Sequence, residues 1–179
     1  TTTTSIVSLI LNNARREPTI LVGGTLDEIG GNCYVGDREF FVTEACEYRA
    51  SFLELQPNIE IILNIDSDHL DYFKDVEHIA RSFDKFARLV PENGVVIAYD
   101  ANPFVRSVIE GLPNKVTFGL SGESDYYASN IRFDAEGMPN FDVNHEGKRL
   151  CTINLSIPGE HNIINALAAI ACTHILGVG

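Results

Sequence analysis

Ile59-Glu60-Ile61-Ile62-Leu63 is a run of apolar, mostly β-branched residues that reads as a buried strand. It breaks off into Asn64-Ile65-Asp66-Ser67-Asp68-His69-Leu70-Asp71, where carboxylates and an imidazole crowd one strand exit. A core strand that ends this way presents oxygen and nitrogen ligands at the carboxyl edge of an α/β sheet, where such sheets hold their ligands. Taken alone, the segment also reads as a solvated loop whose Asp residues cap the next helix. Two further features weigh against that plainer reading. Phe40-Phe41-Val42-Thr43 ends in Glu44, a second acidic strand end, and Thr1-Thr2-Thr3-Thr4 leads directly into a helical pattern. A hydroxyl, a Glu and a His from these three places are together a donor set for a divalent cation.

The rest of the chain sets this strand in an alternating series. Ser5 to Arg15 has helical spacing, and Pro18 to Val22 is a short strand running into Gly23-Gly24. Arg38 to Thr43 and Asn58 to Ile65 are further strands. Val76 to Leu89 places Ile79, Phe83, Phe86 and Leu89 on one helical face and stops at Pro91-Glu92-Asn93-Gly94. Val95 to Tyr99 is a buried strand, Asn102-Pro103 opens a helix to Glu110, and Lys115 to Gly119 is the next strand. This alternation predicts an α/β fold with a mainly parallel sheet and helices on both faces. After Gly122 the pattern changes. Tyr126–Phe133, Met138–His145 and Arg149–Ile157 are strands separated by hairpin signals, a small antiparallel sheet, and Pro158-Gly159 introduces a helix from about Asn162 to Leu176.

Composition narrows the function classes. At 179 residues the chain fits one domain with a substantial core, and its 45% hydrophobic content argues against disorder. A formal charge of −12 without a basic stripe argues against nucleic acid as a partner. No apolar run reaches the roughly 18 residues of a membrane span. Cys33, Cys46, Cys151 and Cys172 show no paired spacing, which fits reduced thiols in the cytoplasm. Gly23-Gly24 and Gly30-Gly31 form no dinucleotide fingerprint and read as loop glycines.

Three segments carry a resemblance. Glu44-Ala45-Cys46-Glu47-Tyr48, Asn64 to Asp71, and Pro158-Gly159-Glu160-His161-Asn162-Ile163-Ile164-Asn165-Ala166 resemble, in order and spacing, the central ATP-binding domain of the Mur ligases. The opening Thr run is similar to the tail of that family's Gly-Lys-Thr-Thr-Thr phosphate loop. Within the family the likeness is strongest to the branch that joins L-alanine to UDP-N-acetylmuramate, with a sister branch that ligates a recycled peptide as the nearest alternative. A catalytically silent nucleotide-binding module is the alternative of another class.

The resemblance implies a P-loop-like fold, ATP and Mg2+ as cofactors, and an amide ligation in peptidoglycan precursor synthesis that proceeds through an acyl phosphate. It implies that Thr1, Glu44 and His69 ligate metal, Glu44 and His69 being the catalytic pair. Thr1 and Thr2 would bind the nucleotide phosphates, and His161, Asn162 and Asn165 the adenine. From the residues alone, Thr1 is equally an N-cap, Glu44 an ordinary strand-end charge, His69 a hydrogen-bonded structural histidine, and the Asn pair a helix cap. Asp68 and Asp71 are assigned to orienting the ligands or capping a helix. Glu47 and Tyr48 either reach substrate or cap a helix. The Gly-x-x-Gly-Lys half of the phosphate loop is absent, so the chain reads as a central domain truncated inside that loop, without its flanking domains and inactive by itself.

Overall fold

The computed structural model describes residues 1–37, 39–67 and 72–179. These fall into two units, residues 1–45 with 169–179, and residues 46–168.

The first unit begins with helix α1 (Thr2–Asn13), whose Val7 and Leu11 are buried. Strand β1 (Thr19–Leu26) follows, then a left-handed turn at Gly30 (φ 71°), and β2 (Gly31–Tyr34) folds back antiparallel to β1. Strand β3 (Phe41–Thr43) pairs with the other side of β1 in parallel, giving the order β2-β1-β3. Helix α1 packs on β1 and β3, and Ile20 and Val22 of β1 are the apolar residues that alternation turns inward. Two expectations are corrected here. Gly23-Gly24 does not end the strand, because β1 continues through both glycines to Leu26, and Gly31 is the first residue of a strand rather than a loop glycine. The sequence hid the hairpin because β2 is polar and exposed along most of its length.

The second unit is built on a six-stranded mixed sheet in the order β4-β5-β6-β7-β8-β9. Strands β4 (Ile59–Ile62), β5 (Val95–Tyr99), β6 (Lys115–Gly119) and β7 (Tyr126–Phe133) run parallel. Strands β8 (Pro139–His145) and β9 (Lys148–Asn154) continue it antiparallel. The mixed α/β class is therefore borne out. The hairpins sit where the sequence places them, but they extend the parallel sheet through the β6–β7 pair, and the separate small sheet is β2-β1-β3.

Helices α2 (Val76–Ala87) and α3 (Pro103–Ile109) pack with β4 and β5 around Ile62, Ile65, Phe73, Ile79, Val96, Ala98 and Val105. Ile97, on the opposite face of β5, is equally inaccessible, so β5 is buried on both faces. The cap of α2 is Asp75, whose Oδ1 accepts from His78 N at 2.7 Å. A short 3-10 segment, Tyr48–Glu54, escaped the sequence reading. It places Phe52 against Phe83 and Phe86 of α2, with centroids 5.2 and 4.7 Å apart. To make that turn, Arg49 (φ 54°) and Ala50 (φ 55°) both adopt left-handed backbone, which L-residues with a Cβ resist. Helix α4 (Glu160–Ile175) is apolar on nearly every side and buried accordingly.

Glu60 is the anomaly of this core. It sits mid-strand on β4, 4% exposed, and neither carboxyl oxygen has a hydrogen-bond partner. Burial pushes its carboxyl up to about 8. Among the described residues β4 pairs only with β5, and β3 only with β1, so each has one unpaired edge.

Candidate active site

In the first unit, the sequence-predicted Thr1 and Glu44 come together. Thr1 occupies the N-cap position of α1, and its carbonyl accepts the first helical bond from Ser5 N at 2.9 Å. Its side chain makes no capping hydrogen bond, so the capping role open at the sequence level is filled in position only. Strand β3 delivers Glu44 to the same corner, with its Oε1 3.4 Å from the Thr1 nitrogen. The amide of Gly23 donates to that oxygen at 2.8 Å.

Burial pushes the Glu44 carboxyl up, but the Gly23 amide, Thr1 and the terminal ammonium outweigh it and hold the group below the ordinary glutamate range. Where another residue precedes Thr1, its nitrogen is a peptide N–H and the ammonium's share disappears. The Gly23 bond persists. Glu44 is thus an ionised carboxylate at the end of a strand, beside a helix start whose first amides have no intrahelical acceptor.

Gly23 supports the Glu44 carboxylate, although its sequence context reads as a loop. A Cβ there would lie 2.9 Å from Glu44 Oε2, so any larger residue at this position would push the carboxylate from its place beside β1. The signal was present: paired glycines near the end of a strand whose parallel partner ends in Glu.

In the second unit, a cleft of about 390 Å³ opens at the carboxyl end of β4. Glu47, Asn64, Asp66 and Ser67 give it a polar rim, and Ile62, Ile79 and Phe83 an apolar floor. The Glu47 that sequence alone left between substrate contact and helix cap therefore lines a cleft. Asp68, His69 and Asp71, the remaining ligand and orienting candidates, lie outside the described residues, as does Arg38 at the predicted start of a strand.

The start of α4 carries the other predicted set. Asn162 is buried, donates from Nδ2 to Pro158 O at 2.8 Å, and accepts at Oδ1 from Asn165 Nδ2 at 3.1 Å. Its amide therefore closes the Pro158-Gly159 turn and orients Asn165. Gly159 has φ 100°, and a Cβ on it would come within 2.7 Å of the exposed His161 ring. Asn162 and Asn165 are thus tied to each other and to the turn, with the exposed His161 beside them at the start of α4.

Magnesium, which the resemblance implies, fits what is present at the first corner. A threonine hydroxyl and an ionised carboxylate are hard oxygen donors, and Mg2+ is held through one or two carboxylates with phosphates supplying much of the remainder. Among the described residues no group of three His, Cys, Asp or Glu side chains could hold a metal ion.

The sheet order and the helices packed on it define a mixed α/β domain, with a carboxylate placed at the start of α1. The chain belongs to the Mur ligase family: the Mur ligase middle domain matches residues 1–173. It is 52% identical to the UDP-N-acetylmuramate–L-alanine ligase of Alkaliphilus metalliredigens over 179 residues, 99% of this chain and 39% of that protein. The UDP-N-acetylmuramate–alanine ligase structure from Thermotoga maritima superposes with a TM-score of 0.83 at 30% identity, covering 99% of this chain and 39% of that one. The UDP-N-acetylmuramate:L-alanyl-gamma-D-glutamyl-meso-diaminopimelate ligase from Neisseria meningitides gives 0.86 at 26% identity, covering 99% and 59%. The chain thus spans about two-fifths of the length of the curated relatives it matches. No helix among the described residues is long and apolar enough to cross a membrane.

Proposed function

We propose that this chain is the central ATP-binding domain of a cytoplasmic ligase that joins L-alanine to UDP-N-acetylmuramate in peptidoglycan precursor synthesis. The observation that carries the reading is the Thr1–Gly23–Glu44 corner, a hydroxyl and a clamped carboxylate at one helix start, within a chain so similar to such ligases. The chemistry begins when a carboxylate oxygen of the muramyl group attacks the γ-phosphorus of ATP. The bond to the ADP oxygen breaks, leaving an acyl phosphate. The amine of L-alanine then attacks the acyl carbon, the C–O bond to phosphate breaks, and the amine proton passes to solvent. Transfer between two anions is nearly all positioning and charge neutralisation.

Thr1, Glu44 and His69 would hold magnesium, which would supply that neutralisation. The chain's own contribution is to keep Glu44 ionised through Gly23, to offer the start of α1, with Thr1 and Thr2, to phosphate, and to hold His161, Asn162 and Asn165 toward the adenine. The test is phosphate release by the full-length protein with ATP, UDP-N-acetylmuramate and L-alanine. Glu44→Ala abolishes it while the protein stays folded. Turnover by Glu44→Ala near the wild-type rate refutes the role. The second reading, ligation of a recycled peptide, draws on the likeness to the Neisseria structure and predicts a peptide acceptor preferred over L-alanine in the same assay.

A further inference from the structure

We propose that Asn102 is a positioning residue for this ligation, fixing the exit of β4 by bonding the Ile65 carbonyl while it caps α3. The inference rests on the ligase reading. The β4–β5 ladder ends at the Ile62–Ala98 pair, so the backbone that carries Asn64, Asp66 and Ser67 to the cleft leaves β4 without a strand partner on β5. Asn102 takes over where the ladder stops. Its Nδ2 donates to Ile65 O at 3.1 Å across 37 residues of sequence. Its Oδ1 accepts from Phe104 N and Val105 N, both at 3.0 Å, which fixes the amide's orientation. Below that bond the Ile65 side chain, 2% exposed, is packed with Phe73, Ala98 and Val105. Ile65 is therefore held by its carbonyl and by its side chain, and Asp66 and Ser67, joined by a 2.7 Å bond from Ser67 N to Asp66 Oδ1, start from that fixed point.

A side chain that both accepts and donates at this length is an amide, and that makes the two jobs separable. Asp is as good an N-cap as Asn, so Asn102→Asp keeps the start of α3 while losing the donor and turning an oxygen toward another oxygen. Asn102→Ser keeps a capping oxygen and lacks the reach. Both are made in the full-length protein and followed by hydrogen exchange and steady-state kinetics.

Each should melt within a few degrees of wild type, with exchange across residues 63–67 faster by roughly three- to tenfold, the weight of one hydrogen bond. Each should lower kcat by a similar factor and leave KM for ATP within about twofold, because misplacement of a strand-end loop acts on the transferring phosphoryl group and not on the base. Wild-type exchange at 63–67 in both variants overturns the anchoring. Faster exchange with unchanged kcat, or a loss that appears in KM alone, overturns the positioning role. Absence of ligation by the unsubstituted enzyme would instead remove the ligase reading, with the exchange result still judging the anchor.

Discussion

Glu60→Gln should flatten the pH dependence of stability of this protein across the neutral range. In the folded state the Glu60 carboxyl titrates near 8, against 4.5 for a free glutamate, with burial as the cause. The folded protein therefore holds a proton that the unfolded chain releases. Below about pH 4.5 both states are protonated and the group has no effect on the balance. As pH rises from there, the unfolded chain ionises first and stability falls, until the folded carboxyl also ionises near 8 and the loss levels off. At 1.36 kcal/mol for each pH unit separating the two values, the full loss is on the order of 5 kcal/mol, an upper bound because a breathing strand admits water. That rivals the whole stability of an ordinary domain, about 5–15 kcal/mol. Gln keeps the shape and the desolvated polar group and removes the proton equilibrium. Urea unfolding at intervals from about pH 5 to about pH 9 should give near-equal stabilities at the acid end. At the alkaline end the variant should lead by several kcal/mol. Every other titrating group cancels in the difference, so parallel profiles for the two proteins would refute the buried, protonated Glu60.

Three further substitutions test other parts of the structure. Gly23→Ala places a methyl 2.9 Å from Glu44 Oε2 and should displace the carboxylate, lowering ligation at least tenfold with little change in melting temperature; a variant with normal kcat would release Gly23 from the site. Ala50→Gly relieves a left-handed Cβ and should stabilise by up to about 1 kcal/mol in denaturant unfolding, whereas a loss would show the φ of 55° to be unstrained. Asn165→Ala should raise KM for ATP by roughly tenfold or less with kcat retained, because one neutral hydrogen bond to a base is the same in ground and transition states; a fall in kcat at constant KM would dissociate Asn165 from adenine recognition.

The sequence carried the fold class wherever hydrophobic period was strong. Val95 to Tyr99, the 76–87 helix and the hairpins after Tyr126 all lie where spacing and turn residues place them. What escaped was decided by tertiary context. Strand β2 has almost no buried face to leave a pattern, and the 3-10 turn that buries Phe52 depends on two left-handed residues that are not glycine. That the hairpin strands extend the parallel sheet depends on the β6–β7 pairing, which no local signal encodes. At the candidate site, the carboxylate and amide candidates stand out in the sequence, and the residues that support them do not. Glu44 stands out as a carboxylate after an apolar strand, while Gly23 and Asn102 look like any loop glycine and any helix cap until the chain folds.

Among the described residues β3 and β4 each have one edge without a strand partner, which bears on how this polypeptide behaves in a tube. An open strand edge is adhesive, since its free amides and carbonyls accept any extended segment, including the same edge of another copy. Both edges are short, which limits the grip, and a formal charge of −12 keeps copies apart by mutual repulsion. Salt shortens the reach of that repulsion and leaves the strand bonds untouched. Solutions of the isolated 179-residue chain should therefore scatter more light as ionic strength rises, and a ten-fold dilution at constant salt should reverse the effect.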